Sequence, residues 1–156
     1  MPITLRDAAA EDEAFLLELY ASTRADEMAL VPWTEDQRQA FVKLQFAAQH
    51  EHYHNQYPDA GYKLIMQNYE RVGRLYILKG DAEITILDIT VHPKYRNQGI
   101  GTALLRDVLA EAAQTQRSVG IYVESFNPSL RLFERLGFSE AEKEGFNFLL
   151  RWHPPV

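Results

Sequence analysis

Residues 87–113, LDITVHPKYRNQGIGTALLRDVLAEAA, change period in the middle. Leu87, Ile89 and Val91 alternate, as the apolar residues of a strand do. His92-Pro93 closes that run, because proline has no N–H to give to a sheet ladder. From Gly99 onward Ile100, Leu104, Val108 and Ala112 recur every fourth residue, with Leu105 and Leu109 beside them, and predict a helix with one apolar stripe. Between strand and helix lies Arg96-Asn97-Gln98-Gly99-Ile100-Gly101. Two glycines at the first turn of a helix bare its backbone, so free N–H groups can come close to a ligand. The helix N-terminus, Arg96 and Lys94 add positive charge, which suits a pyrophosphate. The plainer alternative is a tight strand-to-helix turn. Two familiar phosphate motifs are absent. A dinucleotide fingerprint needs Gly or Ala where Leu104 stands, and a P-loop needs Gly-Lys-Ser/Thr where Gly101-Thr102-Ala103 stands.

The chain has 156 residues, 46% of them hydrophobic. That is enough for one domain, 1–156, with a real core, and too apolar for disorder. No run approaches the ~18 apolar residues of a membrane span, so no membrane is expected as a partner. Arg6 and Asp7 stand where a signal peptide would have its apolar segment, and a cytoplasmic protein is the expectation. The absence of cysteine excludes disulfides, thiolate metal sites and a cysteine acyl-enzyme. The net charge of −6 is uneven: residues 1–60 hold four Lys/Arg against eleven Asp/Glu, residues 61–156 twelve against eleven. A basic nucleic-acid surface is therefore not expected. An acidic first part either favours a cationic partner, such as an amine, or simply solvates helix faces.

Ile3–Arg6 reads as a short strand, Asp7 as a cap, and Phe15, Leu16, Leu19 and Tyr20 as the buried face of a first helix. The apolar segment Met28, Leu30–Trp33 reads as a loop that either plugs the core or walls a substrate pocket. Thr34-Glu35-Asp36-Gln37 has the form of a capping box, and a helix of about twenty residues follows to near Asn55, with Phe41, Leu44 and Ala48 as its expected inner face. His50 and His54 share a face of it, either as a metal pair or as a pH-sensitive rim; a third ligand is missing, and no metal is expected. GYKLIMQ (61–67) and VGRLYILK (72–79) read as a hairpin, and 83–91 as a third strand of that series. SVGIYVE (118–124) is a further strand, parallel to 83–91 across the helical crossover. Leu130, Phe133 and Leu136 mark a last helix ended by Gly137, and a hairpin turns at Glu144-Gly145, with Phe146, Phe148 and Leu150 on one side.

The lead-in V-x-P-x-Y-R with R-x-x-G-x-G, and the downstream run Asn127-Pro128-Ser129-Leu130-Arg131-Leu132-Phe133-Glu134-Arg135-Leu136-Gly137-Phe138, stand in a fixed order. The first resembles the acetyl-CoA motif (Q/R)-x-x-G-x-(G/A) of the GNAT N-acetyltransferase superfamily. The second resembles that family's N-P-A-x-x-L-Y-E-x-x-G-F. The resemblance is strong over Glu83–Phe138 and weak before Gly61. It implies an α+β fold of three α/β/α layers, with a mostly antiparallel central sheet of about seven strands, one splayed parallel pair and about four helices.

What the resemblance implies for the site follows by position. The backbone of Ile89, Thr90 and Val91 would hold the pantetheine of acetyl-CoA. The region Arg96–Thr102 would hold its pyrophosphate through Arg96, Asn97 and the amides of Gln98, Gly99, Ile100, Gly101 and Thr102. Asn127 and Ser129 would meet the pantetheine arm, and Phe133 would pack near the thioester. The Val91 N–H would serve the oxyanion. Thr85 replaces a glutamate that many relatives use as base, which leaves Glu83, Asp88 and Glu124 as candidates, Glu124 being nearest the splay. Phe133 replaces the tyrosine that often protonates the thiolate, and Tyr122 is a substitute. The implied activity is direct acetyl transfer from acetyl-CoA to a primary amine of a small molecule or peptide. The alternative is a non-catalytic acyl-CoA-binding module. The acceptor is expected between the loop 28–33, the His50–Tyr57 segment and the splayed strands. A homodimer is conceivable through the apolar strand 146–152.

Overall fold

The structure, a computed structural model, describes residues 2–124, 129–145 and 147–156, and of Glu124 the backbone only. Strand β1 (Ile3–Asp7) leads to helices α1 (Glu13–Ala29) and α2 (Glu35–Gln56). Three strands follow: β2 (Gly61–Gln67), β3 (Glu70–Lys79) and β4 (Glu83–Val91). Helix α3 (Ile100–Gln114), β5 (Ser118–Glu124), α4 (Leu130–Arg135), β6 (Ser139–Glu144) and β7 (Asn147–Trp152) complete the chain. The strands form one sheet in the order β1-β2-β3-β4-β5-β7-β6. Every pairing is antiparallel except β4 with β5. The helices lie on both faces. The larger core joins Ile65, Leu75, Ile84, Ile86, Val119 and Ile121 to α3 and α4, and the smaller packs α1 and α2 on Leu64. These are the three layers read from the sequence.

The capping box forms as read: Thr34 Oγ1 accepts from the Gln37 N–H at 3.2 Å, and Gln37 Oε1 from the Thr34 N–H at 2.9 Å. The inner face of α2 does not. Val42 and Phe46 are buried, whereas Leu44 is 70% exposed and Ala48 is exposed too. Polar residues, Gln45 and Gln49, share the inner stripe, so apolarity alone misassigned the face. The first helical region also starts differently. Asp7 ends β1 and pairs with Lys63, while Asp12, 1% exposed, accepts the Ala9 N–H and two hydrogen bonds from Arg6. The 68–69 turn puts Asn68 and Tyr69 at positive φ, the geometry of a two-residue hairpin.

The last strand is not an edge. β7 lies between β5 and β6, and the outer strand is β6, fully exposed and rich in charge. Charge on an outer strand discourages edge-to-edge pairing, and β7, flanked on both sides, has no open edge to offer a second copy. No helix among the described residues is long and apolar enough to cross a membrane.

Candidate active site

The parallel ladder between β4 and β5 runs from Glu83–Ser118 to Ile86–Ile121, and among the described residues it stops there. Past that rung β4 continues as Leu87–Val91, and β5 as Tyr122–Glu124. β4 also changes its own parity at this point. Tyr76 pairs with Asp88 and Ile77 with Ile86, so Leu87 is skipped by the ladder to β3. The bulge lets Ile84, Ile86, Ile89 and Val91 all turn to the α3 side, although their spacing is not uniformly even.

Beyond the bulge β4 is laddered, among the described residues, to β3 alone. The His92 N–H bonds the Val72 carbonyl at 2.8 Å. Backbone groups alternate sides along a strand. Those of Ile89 and Val91 therefore face away from β3, into the gap opposite β5. Arg96 confirms the direction, since its Nε donates to the Val91 carbonyl at 3.1 Å. Thr90 is different. It pairs with Arg74, and its carbonyl lies so close to Gly73 that a Cβ there would collide with it. Its backbone is thus committed to β3, which removes it from the residues expected to face a ligand.

At the end of the gap the chain turns through Asn97 (φ 64°) and Gly99 (φ 78°) into α3. The first helical bond is from the Ala103 N–H to the Gly99 carbonyl, so the amides of Ile100, Gly101 and Thr102 lie ahead of it. A Cβ on Gly99 or Gly101 would meet nothing within 4 Å. The glycines therefore leave open space over a row of amides at a helix N-terminus, as an anion requires. An open strand edge leading into this cradle fits an elongated amide-bearing molecule that ends in a diphosphate.

The candidate bases are distributed unevenly. Glu83 sits on the laddered end of β4, where its carboxylate accepts from Ser118 Oγ (2.8 Å) and Arg151 Nε (2.6 Å). Burial opposes its ionisation, but these two donors prevail and hold its carboxyl below the usual range. Asp88 lies on the splayed end. Its oxygens accept from Arg74 Nε (3.2 Å), Arg74 Nη2 (2.8 Å) and Thr90 Oγ1 (2.6 Å). Both carboxylates are thus engaged as ion-pair anchors. Asn127 and the Glu124 side chain lie outside the described residues. The Glu124 backbone pairs with Asn147 at the splayed end. Tyr122 follows the last rung, and its side chain is 61% exposed, opposite in direction to the buried Ile121 and Val123. Phe133 is buried against Phe138, with ring centroids 5.8 Å apart, as part of the core. The Ser129 carbonyl accepts the Phe133 N–H at the start of α4.

Two contributors were missed from sequence: Arg74, 2% exposed, and Tyr53. An arginine inside the apolar run VGRLYILK was a signal, because a buried guanidinium must find a partner. The expected acceptor pocket needs correction as well. Trp33 and Tyr53 stand at opposite ends of α2, about 30 Å apart at 1.5 Å per residue. They cannot wall one small-molecule site. The Gln49–Tyr57 end reaches the sheet: the Tyr53 hydroxyl donates to the Leu87 carbonyl of β4 at 3.2 Å, His54 stacks on Tyr62 of β2 at 4.0 Å and Tyr53 meets Tyr76 of β3 edge-on at 5.6 Å. Burial, and then His50 nearby, push His54 below its ordinary pKa. Among the described residues no group of three or more His, Asp or Glu could hold a metal ion.

The sheet order, the parallel pair whose ladder stops at Ile86 and the open amide cradle frame a site for an elongated ligand that ends in a diphosphate. The model of the acetyltransferase (GNAT) family matches residues 16–138, and the chain belongs to that family. Over 59 residues it is 36% identical to a glucosamine 6-phosphate N-acetyltransferase of Trypanosoma brucei brucei, a match spanning 38% of this chain and 40% of that protein. Its fold is similar to that of the PaiA N-acetyltransferase of Thermoplasma acidophilum, solved with coenzyme A. There the TM-score is 0.71 at 17% identity, over 98% of this chain and 99% of that one. It is also similar to the ribosomal-protein-S18-alanine N-acetyltransferase of Escherichia coli, with a TM-score of 0.63 at 20% identity, over 99% and 96% of the two chains.

Proposed function

We propose that the protein transfers an acetyl group from acetyl-CoA directly to the primary amine of a small molecule or peptide. One observation carries this reading: the free edge of β4 beyond Ile86 runs into the open cradle at Gly99–Thr102. The backbone of Ile89 and Val91 is suited to hold the pantetheine amides. The amides of Gln98–Thr102, with Arg96, suit the diphosphate. Acetyl-CoA supplies the activated acyl group. The Val91 N–H is suited to an oxyanion, and an exposed Tyr122 beside the gap can give a proton to a departing thiolate. Glu124 is the base we favour, because Glu83 and Asp88 are tied to arginines. The acceptor approaches along the Gln49–Tyr57 end of α2.

The test is release of free thiol from acetyl-CoA across a panel of primary amines, with acetylated product confirmed by mass. Thiol release with at least one amine supports transfer. Tight binding of acetyl-CoA with no release on any amine would make the protein an acyl-CoA-binding module instead.

A further inference from the structure

The inner stripe of α2 changes character along its length. Val42 and Phe46 are apolar and fill the core, but one turn later Gln49 Oε1 accepts from Arg74 Nη2 at 3.0 Å. One turn beyond that, the Tyr53 hydroxyl donates to the Leu87 carbonyl at 3.2 Å. Leu87 is the residue skipped by the ladder to β3 and the first beyond the last rung to β5. Its carbonyl thus takes the Tyr53 hydroxyl at the point where, among the described residues, the ladder to β5 stops. Burial, and after it the charge of Asp88, push the Tyr53 hydroxyl well above the usual tyrosine range, so it stays a donor. The ring is held edge-on by Tyr76. The Tyr62 hydroxyl lies within hydrogen-bond reach of the carbonyls of Tyr53 (2.8 Å) and Tyr57 (2.7 Å), so it holds the backbone of the last turn of α2 and not the bulge.

We propose that Tyr53 is a positioning residue for acetyl transfer: by holding the Leu87 carbonyl it fixes the bulge that aims the Ile89 and Val91 backbone into the gap. This rests on the acetyl-CoA reading given above. The geometry also ties the acceptor side of the molecule, α2, to its donor side through one hydroxyl.

The test compares Tyr53→Phe with Tyr62→Phe. Tyr53→Phe keeps the ring against Tyr76 and removes only the bond to the bulge. It is expected to raise the acetyl-CoA dissociation constant, measured by calorimetry, about tenfold, the worth of roughly one hydrogen bond. Amide exchange at Asp88 and Thr90 in the free protein should speed up by a similar factor, with α3 unchanged. Tyr62→Phe loosens the end of α2 without touching the bulge, and should leave both readouts near wild type. Equal weakening of acetyl-CoA by the two variants would overturn the proposal, as would wild-type affinity and exchange in Tyr53→Phe. If the wild-type protein binds no acetyl-CoA, the functional reading fails, and the exchange arm alone decides whether Tyr53 holds the bulge.

Discussion

β4 carries a carboxylate–arginine pair in each of its halves, Glu83 with Arg151 at 2.6 Å and Asp88 with Arg74 at 2.8 Å. By distance they are alike. Their surroundings are not. Over Glu83–Ile86 the strand is laddered on both sides, and the pair lies at the surface, its side chains 28% and 31% exposed. Over Leu87–Val91 the strand keeps, among the described residues, β3 alone, and the pair is sunk beneath α2 at 16% and 3%. The half with an unladdered edge among the described residues is thus the half that is braced from behind. A strand that gives up one neighbour needs a rigid hold from the other. Arg74, Thr90, Gln49 and Tyr53 together supply it.

The largest expected effect tests that brace. Asp88→Ala leaves the Arg74 guanidinium buried without its carboxylate, which should destabilise the fold by about 3–5 kcal/mol in urea unfolding. Replacing the pair together, Arg74→Met with Asp88→Leu, should recover most of that loss. A cost below about 1 kcal/mol for Asp88→Ala would mean that the two pairs are equivalent, and the contrast between the halves would fall.

Next comes the ligand cradle on the open side. Gly101 has no positive φ, and a side chain there meets open space, so Gly101→Glu should melt near the wild-type temperature. A carboxylate facing a diphosphate costs several kcal/mol, so acetyl-CoA affinity should fall on the order of 100-fold. Unchanged affinity would place the diphosphate elsewhere.

A smaller effect lies away from β4 altogether. Hydrogen bonds from Arg6, then the Ala9 N–H and Arg71, overcome burial and bring the Asp12 carboxyl down to about 2. A depressed carboxylate stabilises the fold above its ordinary pKa and loses that contribution as pH falls through its folded value. Stability should therefore decline by about 1–2 kcal/mol between roughly pH 5 and pH 2 on this account. In Asp12→Asn that part of the decline should be missing.

Much of this architecture was legible in the sequence because period and turn chemistry are local. The strand at 83–91, the helix after Gly99, the capping box at Thr34 and the parallel partner at 118–124 all follow from residues a few positions apart. The amide cradle was legible for the same reason. What was not legible depends on contacts across the fold. Asp88 looks like a free base until the β3–β4 register brings Arg74 against it. Glu83 looks like one until β7 brings Arg151. Tyr53 is one aromatic among many until α2 is laid on the bulge. The bulge itself had a trace, since Ile84 and Ile86 stand on even positions and Ile89 and Val91 on odd ones, yet share a face. On α2 the pattern misled, because glutamines face inward and Leu44 outward.

The smallest effect is the one expected from Glu83. A general base contributes about 10²–10⁴-fold to a rate, and must be free to take a proton near the reacting amine. Glu83 meets neither condition. It stands on the laddered half, level with Ser118 rather than with the opening at Tyr122, and its Oε2 already accepts from both Ser118 Oγ and Arg151 Nε. Its lowered carboxyl pKa weakens it further as a base at neutral pH. The surface pair is also worth little to stability, commonly below about 1 kcal/mol. Glu83→Gln keeps the shape of the side chain beside Gly120, where space is tight. It should therefore leave kcat within about twofold and shift unfolding only slightly, in contrast to Asp88→Ala on the other half. A fall in kcat on the order of 100-fold, with acetyl-CoA affinity intact, would move the chemistry to the laddered half and undo the division of labour along β4.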